Sequence, residues 1–463
     1  MLSIVAMAVG ILAIASSPYW LPAAILALRT WIFTVGNGAA GLAVPGEVVG
    51  ASRFKQLYSH PAACGRSKGA ALSDLFWYWL SPGPEFHQEN IEPGETYEEV
   101  AKATRGILAM PRDVAQQLAA ACMARKLKTE NIHTVKLVRL RKLAMPVWAE
   151  FYYELVFGEP CTPQARELIV GNADDVITAL KCCGLRHMHK RHALTSFLVA
   201  KLQAGQIRHE LPHGLSTVER ALYLQGAFFN TAVVQMSEAT AHLFMIIAQH
   251  PPVQERLTAR PDDRRYLDHV IEETLRLYPL FGISHRITQA EITLDDRTTL
   301  PKATVLYFNH LKYHCTGFDE PQRFDPDRWE KLSVHEANYI PYGVAANRPC
   351  PAAGLASLTL RAAARELLRQ FAVYSSAEHT RSNPNQGPCL LVSRANGCDP
   401  RHRSALLVLL RVRDRWEDVW RSLVQLVLGT YMIWDARRLK LCQRYFAGPA
   451  TVPTRPQEKV RWT

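Results

Sequence analysis

Apolar residues fill positions 2 to 28 of this 463-residue chain almost without interruption, as LSIVAMAVGILAIASSPYWLPAAILAL, and Arg29 is the first charged side chain. About 20 residues at helical rise cross bilayer hydrocarbon, so the run predicts a membrane-spanning helix kinked by Pro18 and Pro22. A cleaved signal peptide is the rival reading, with Ala13-Ile14-Ala15 supplying small residues. The length of the run, and the lack of a basic residue ahead of it, favour a retained anchor. Gly36 to Gly94 is rich in Gly, Pro, Ser and aromatics and keeps no period, which predicts loops and short strands. From Tyr97 to about His250 apolar residues return every three or four positions, as in LVRLRKLAMPVWAEFYYELVFG and ALYLQGAFFNTAVVQMSEATAHLFMIIAQH. Those are long helices. PPVQERL opens another, and DHVIEETLRLYPL is helical up to Pro279. Ile283 to Phe308 alternates around a turn at Leu294–Arg297, predicting short strands, and a further helix, GLASLTLRAAARELLRQF, follows later. Beyond Asp399, apolar and aromatic residues recur at helical spacing between Arg and Lys, as an amphipathic segment would that lies on a membrane or packs on the body. The class is mainly α with a minor β-sheet (α+β).

Composition narrows this only a little. At 48% hydrophobic and 21% charged the chain is ordinary globular material for one large domain or two moderate ones. Ten scattered cysteines without a CxxC pair give no structural zinc site and suit a reducing compartment. The formal charge of +12 fits nucleic acid, an anionic membrane or an acidic protein. With no nucleic-acid motif in the chain, membrane and protein partners are favoured. The run KCCGLRHMHKRH, Lys181 to His192, looks like a metal cluster. Its adjacent cysteines chelate poorly and its cations oppose a dication, so a solvated basic helix end is the better reading.

The chemistry concentrates in NYIPYGVAANRPCPAAGL, residues 338–355. Cys350 stands between Pro349 and Pro351, which stiffen the backbone, ahead of a helix whose first N–H groups would face the sulfur. Arg348 lies two residues before it, and Gly343, Ala345, Ala346, Ala352, Ala353 and Gly354 leave room for something large and flat. A haem held by one axial thiolate fits these features; so does a buried structural cysteine before a helix. Separately, Glu273 and Arg276 stand three apart on one helix face, where they can pair.

Taken in order, Glu273-Thr-Leu-Arg276, then FDEPQRFDPDRWEKL with Pro326-Asp-Arg-Trp329, then the Cys350 loop resemble the cytochrome P450 family. GPCLLV at Gly387–Val392 is similar to a strand near that family's usual end, and the resemblance runs from about Tyr97 to Arg394. It implies a P450-like fold with an N-terminal transmembrane helix: anchor 1–35, catalytic domain 36–395 and a basic extension 396–463. It further implies haem b with Cys350 as the metal ligand, Arg286, Arg348 and Arg105 as propionate partners, and Glu273, Arg276 and Arg328 as a structural triad. By the same resemblance the chain is a monooxygenase acting on a lipophilic small molecule of secondary metabolism with O2 and NADPH-cytochrome P450 reductase, at the endoplasmic reticulum membrane with its catalytic domain cytosolic, and without nucleic acid. Oxidative coupling, dehydration or rearrangement on the same fold is one alternative, and a haem-binding protein without catalysis is another.

The departures from the family pattern are specific. Ala346 and Ala352 replace two usual glycines, and Gly343 and Tyr342 match only if the loop carries one extra residue. Counting back from His250, the family's acid–threonine pair falls on Gln235 and Val234. Gln235 is the catalytic candidate, able to orient a water but not to ionise; Asn230-Thr231 would substitute if the helix bulges. The N-terminal sheet must be trimmed or rebuilt, placing FWYWLSPGPEFHQE, Phe76 to Glu89, in the pocket roof.

Overall fold

The computed structural model describes residues 2–37, 41–68, 70–260, 263–296 and 298–447. Arg297, at the expected turn, and residues 448–463 of the extension lie outside them. The helices are α1 (Leu2–Asn37), α2 (Phe54–Ser59), α3 (Ala71–Leu80), α4 (Glu95–Leu108), α5 (Arg112–Glu130), α6 (Leu140–Phe157), α7 (Pro163–Leu180) and α8 (Met188–Gln203). They continue as α9 (Thr217–Leu224), α10 (Val233–Gln249), α11 (Pro251–Ala259), α12 (Arg264–Leu277), α13 (His310–His314), α14 (Ala353–Gln370), α15 (Pro400–Leu439) and α16 (Leu441–Ala447). The strands are β1 (Leu42–Val44), β2 (Val135–Arg139), β3 (Ile283–Ile287), β4 (Ile292–Asp295), β5 (Thr298–Leu300), β6 (Val305–Asn309), β7 (Phe371–Tyr374) and β8 (Pro388–Ser393).

Helices α6 and α10 are apolar on nearly every side, the pattern of a helix enclosed by others. Accordingly α10 packs on α6 and α14, while α5 packs on α6 and α14, so these four helices surround the main core. Amphipathic α12 lays its buried face, including Leu267, Val270, Ile271 and Thr274, against α10 and α14. Three small sheets sit at the periphery. β8 lies between β2 and β7, both antiparallel to it; β6 lies between antiparallel β3 and parallel β1; β4 and β5 form a hairpin.

Two sequence expectations change. Part of the stretch read as loops is helical, since α2 and α3 bury Phe54, Leu57, Leu75 and Trp77. The long helix expected through LVRLRKL is broken, because Val135–Arg139 pairs with β8 before α6 begins. A distant strand partner overrides the helical period there.

Between α9 and α10 the helix runs on as a π-helical stretch, Gln225–Ala232. Its polar side chains have defined partners. Gln225 Nε2 donates to Asn172 Oδ1 (2.9 Å), and Asn230 Nδ2 donates to the carbonyls of Leu80 and Pro82 (3.0 Å each). Gly226 faces Gly83, and a Cβ on Gly226 would come within 2.6 Å of the Gly83 carbonyl oxygen. The turn after α3 therefore docks into the bulge only because neither residue has a side chain. Gly171, in α7, meets nothing within 4 Å. Replacing it with Ala is expected to stabilise the protein by about 0.5–1 kcal/mol, whereas Gly226→Ala lowers the melting temperature despite the same gain in helix propensity. Thermal melts of the two variants check this pair.

Candidate active site

Cys350 ends a tight loop. Val344 and Asn347 form an isolated bridge, the Cys350 N–H donates to the Tyr342 carbonyl (3.1 Å), and α14 starts three residues later at Ala353. Gly343 (φ +71) and Arg348 (φ +50) both adopt the left-handed region. A non-glycine residue holds that conformation only when its surroundings impose it. Here Arg348 donates to the carbonyls of Cys64 (2.8 Å), Gln88 (2.9 Å) and Ile91 (2.7 Å). Asn347 Nδ2 reaches the carbonyls of Tyr58, His60 and Ala63, and its Oδ1 accepts from Arg286 Nη1 (2.9 Å). Burial pushes the Cys350 thiol up to about 11, against a lowering backbone bond from Ala352. A thiol so placed is a poor free nucleophile, but a bound metal cation would deprotonate it.

On α12, Glu273 is fully buried. Its Oε1 accepts from Arg276 Nη2 (2.8 Å), Arg328 Nε (2.9 Å) and the Asp325 N–H (3.1 Å), and its Oε2 from Arg276 Nε (2.8 Å) and Trp329 Nε1 (3.0 Å). Arg276 Nη1 also donates to the Pro321 carbonyl (2.7 Å), which ties the segment before Trp329 to α12. Removing one member of such a cluster strands a buried charge, at about 3–5 kcal/mol.

Above the loop, Cys350, Arg348, Gly343 and Ala352 line one wall of a cavity, with Thr104 and Leu108 of α4 and Leu280 and Phe281 around it. Ala227, Phe228, Thr231, Ala232, Gln235 and Met236 also line it. Among the described residues of α10 from Val233 to Ala248, Gln235 alone is not buried, because it borders this cavity. Val234 is buried. Asn230 is committed to the α3 turn, while Thr231, one helical turn before Gln235, reaches the cavity through the bulge.

The far corner holds a surplus of positive charge. Arg66, Arg286 and Arg348 are all buried there against two carboxylates, half-buried Glu89 and, beside the Arg66 N–H (3.2 Å), Glu92. Burial pushes Glu89 up, but the three guanidiniums outweigh it and hold its carboxyl below the usual range. Arg66 is lowered to about 10, by burial first and then by crowding from Arg286 and Arg348 against the opposing pull of Glu89. Arg66 Nε donates to the Glu89 carbonyl (2.7 Å), while Arg286 Nη2 is buried without a partner among the described residues. An orphaned guanidinium donor in a corner short of negative charge fits a group carrying carboxylates. Arg105, by contrast, is exposed on α4 and does not line the cavity, so the expected propionate role falls from it. Arg66 occupies the corner instead. No motif marks it, because RSKG lies in the stretch where the resemblance fails. Of Phe76–Glu89, expected in the roof, His87, Gln88 and Glu89 reach the cavity at the arginine corner, whereas Trp77 packs against Tyr445 and Phe446 of α16.

A family model described as Cytochrome P450 matches residues 185–397, which include the Glu273 cluster and the Cys350 loop. Over those residues the chain matches the cytochrome P450 family. It is similar to cyclooctat-9-en-7-ol 5-monooxygenase of Streptomyces melanosporofaciens, 31% identical over 26% of this chain and 30% of that protein. It is also similar to cytochrome P450 3A17 of Cavia porcellus, 27% identical over 40% of each chain. The matches thus span well under half of these relatives' length. Among solved structures, retinoic acid-bound cyanobacterial CYP120A1 superposes with a TM-score of 0.60 at 18% identity, over 74% of this chain and 88% of that one. A zebra fish cytochrome P450 with abiraterone gives 0.60 at 16% identity, over 77% and 93%. These two likenesses show the fold. The P450 family implies a haem-thiolate cofactor, and the donor set fits one: a sulfur on one wall, small residues around it and an orphaned guanidinium donor at the corner.

Arg66→Met is expected to lower the haem-to-protein ratio of the purified protein, while Arg105→Met leaves it at the parent value. Equal ratios in the two variants, read by pyridine haemochrome absorbance, would contradict the reassignment.

Proposed function

We propose that this chain is a membrane-anchored haem-thiolate monooxygenase, with haem b as cofactor, that hydroxylates or oxidises a lipophilic small molecule. The observation that carries the reading is the cavity itself, with Cys350 on one wall and the short-of-anion arginine corner beside it. Bound there, the haem would supply activation of O2 and oxidation of an unactivated C–H bond, using electrons from NADPH-cytochrome P450 reductase. Cys350 would hold the haem iron through its thiolate, Arg66, Arg286 and Arg348 would pair with the haem carboxylates, and Glu273, Arg276 and Arg328 would brace the fold around the loop. Leu108, Phe228, Met236, Leu280 and Phe281 give the substrate side an apolar lining that holds a lipophilic molecule and excludes water.

Gln235 and Thr231 are the polar groups on the α10 side of that cavity. The Gln235 carboxamide donates and accepts hydrogen bonds without changing charge, so it orients a water rather than delivering its own proton. The Thr231 hydroxyl, one turn away, would pass a proton along that water. With no carboxyl group on that face among the described lining residues, oxidative coupling, dehydration or rearrangement without oxygen insertion is the second reading.

The apolar stretch Gly10–Phe33 of α1 is long enough to cross a membrane. With Arg29 and the basic body following it, the positive-inside tendency places the catalytic domain in the cytosol, which suits the endoplasmic reticulum. Anchor 1–35, catalytic domain 36–395 and extension 396–463 are the corresponding parts. Secondary metabolism is supported by relatives named as a cyclooctat-9-en-7-ol 5-monooxygenase and, in Hordeum vulgare, an ent-kaurenoic acid oxidase.

Metabolite profiling of a deletion strain identifies the substrate as the compound that accumulates. Turnover of that compound with NADPH, the reductase and isotope-labelled O2 is expected to place label in the product; unlabelled product supports the second reading. Gln235→Ala raises the share of electrons lost as peroxide, and unchanged coupling would remove the water-orienting role.

A further inference from the structure

Helix α15 extends for 40 residues beyond the family match, a length of about 60 Å. One side of it is committed to the protein. Leu410, Asp414, Gln425, Gly429, Met432 and Ala436 are buried, and the helix packs on α1 and α3. The contact with α1 is parallel. The Arg415 guanidinium lies over the Tyr19 ring (4.5 Å), and Arg29 Nη1 donates to Gln425 Oε1 (2.9 Å). α16 then folds back onto α3, with its first N–H groups on Asp74 Oδ1 at Cys442 (2.9 Å) and Gln443 (3.1 Å).

Among the described residues, the opposite side has no such partner. Leu409, Val412, Trp416, Trp420, Leu423, Val427, Tyr431 and Trp434 succeed one another at steps of three and four, all exposed, with Leu409 at 66%, Trp420 at 66% and Val427 at 67%. At 100° per residue these positions fall within one face, forming a straight apolar stripe roughly 38 Å long. That exceeds the scattered apolar exposure of an ordinary surface.

We propose that this stripe of α15 lies in the interfacial plane of a lipid bilayer and holds the protein flat against it. Three observations choose lipid over another occupant. First, α1 of the same chain is apolar enough to enter a membrane and exposes Ile11, Leu12, Ile14, Trp20, Leu26 and Trp31, so the protein already carries one segment that brings it to a bilayer. Second, four of the eight stripe residues are Trp or Tyr, side chains that favour the boundary between headgroups and acyl chains. Third, residues 400–447, which hold α15 and α16, carry ten Lys and Arg against four Asp and Glu. Three of the four acids are paired within the protein: Asp414 with Arg413 (2.5 Å), Glu417 with Arg139 (2.5 Å) and Arg421, and Asp435 with Arg438 (2.7 Å). A second copy would bring like charges together along the seam, whereas anionic headgroups complement them.

Crossing the bilayer is excluded for α15 itself. Arg411, Arg413, Asp414, Arg415, Glu417, Asp418 and Arg421 would enter hydrocarbon, at about 2.5–3.5 kcal/mol each near the centre. In the plane, the apolar face enters the acyl boundary and these charges stay hydrated or paired. Wherever α1 crosses, it parts from α15 along the contact that now buries Ser17 and Ile25. The placement of α15 does not depend on the haem reading.

The test uses the full chain on vesicles of phosphatidylcholine with about a quarter phosphatidylserine. The triple variant Trp416→Phe, Trp420→Phe, Trp434→Phe keeps the apolar bulk, so subtracting its fluorescence from the parent's isolates those three tryptophans. Brominated acyl chains are expected to quench that component about twofold, while aqueous acrylamide leaves it nearly unchanged. A component quenched by acrylamide and not by bromine faces water and overturns the proposal. One shielded from both is covered by protein and overturns it equally.

Discussion

Three guanidiniums, from Arg66, Arg286 and Arg348, share a buried corner with only two carboxylates, Glu89 and Glu92. Like charges so close and so desolvated are tolerable only beside an anion, and one donor there, Arg286 Nη2, still lacks a partner among the described residues. Most of the chain's unusual local structure serves that corner. Asn347 ties the Cys350 loop to Arg286 and to the segment after α2, and Arg348 holds a left-handed conformation to reach three carbonyls. Glu273, through two arginines and a tryptophan, ties α12 to the 325–329 segment that leads into the loop. The sulfur of Cys350 therefore sits on a rigid shelf, and rigidity is what a metal ligand needs.

What the sequence made legible was whatever its local order encodes. The helices enclosing the core announced themselves by apolar residues on every side, and α14 by its regular pattern behind Cys350. Glu273, Arg276 and Arg328 were found because they come in a fixed order, and the structure brings the three side chains together. Arg105 and Arg66 show the limit. The first was chosen by its place in an expected helix, which does form, but the side chain points to solvent. The second comes from a stretch without periodicity, and its role is visible only once β3 and the Cys350 loop are folded beside it. Strand β2 was missed for a related reason, since its identity depends on β8 some 250 residues away.

The π-helical stretch before α10 has a double consequence. It frees Gln225 and Asn230 to bind the loop after α3, so the wall built by the N-terminal part of the chain is locked to the central helix. It also turns Thr231 toward the cavity, one turn from Gln235. The same distortion thus builds the wall and sets which polar groups face the chemistry, in keeping with the tendency of such bulges to mark functional sites. Counting residues along a regular helix located Gln235 but gave no reason to choose Thr231 over Asn230.

The central claim is that a porphyrin iron is bound by the thiolate at position 350. The most direct measurement is the reduced-plus-CO difference spectrum of the full chain beside that of Cys350→Ala, each reconstituted with haem. The account predicts a Soret band at the thiolate-ligated position in the parent and its loss in the variant. A parent without that band, or a variant with the parent's spectrum, would contradict it.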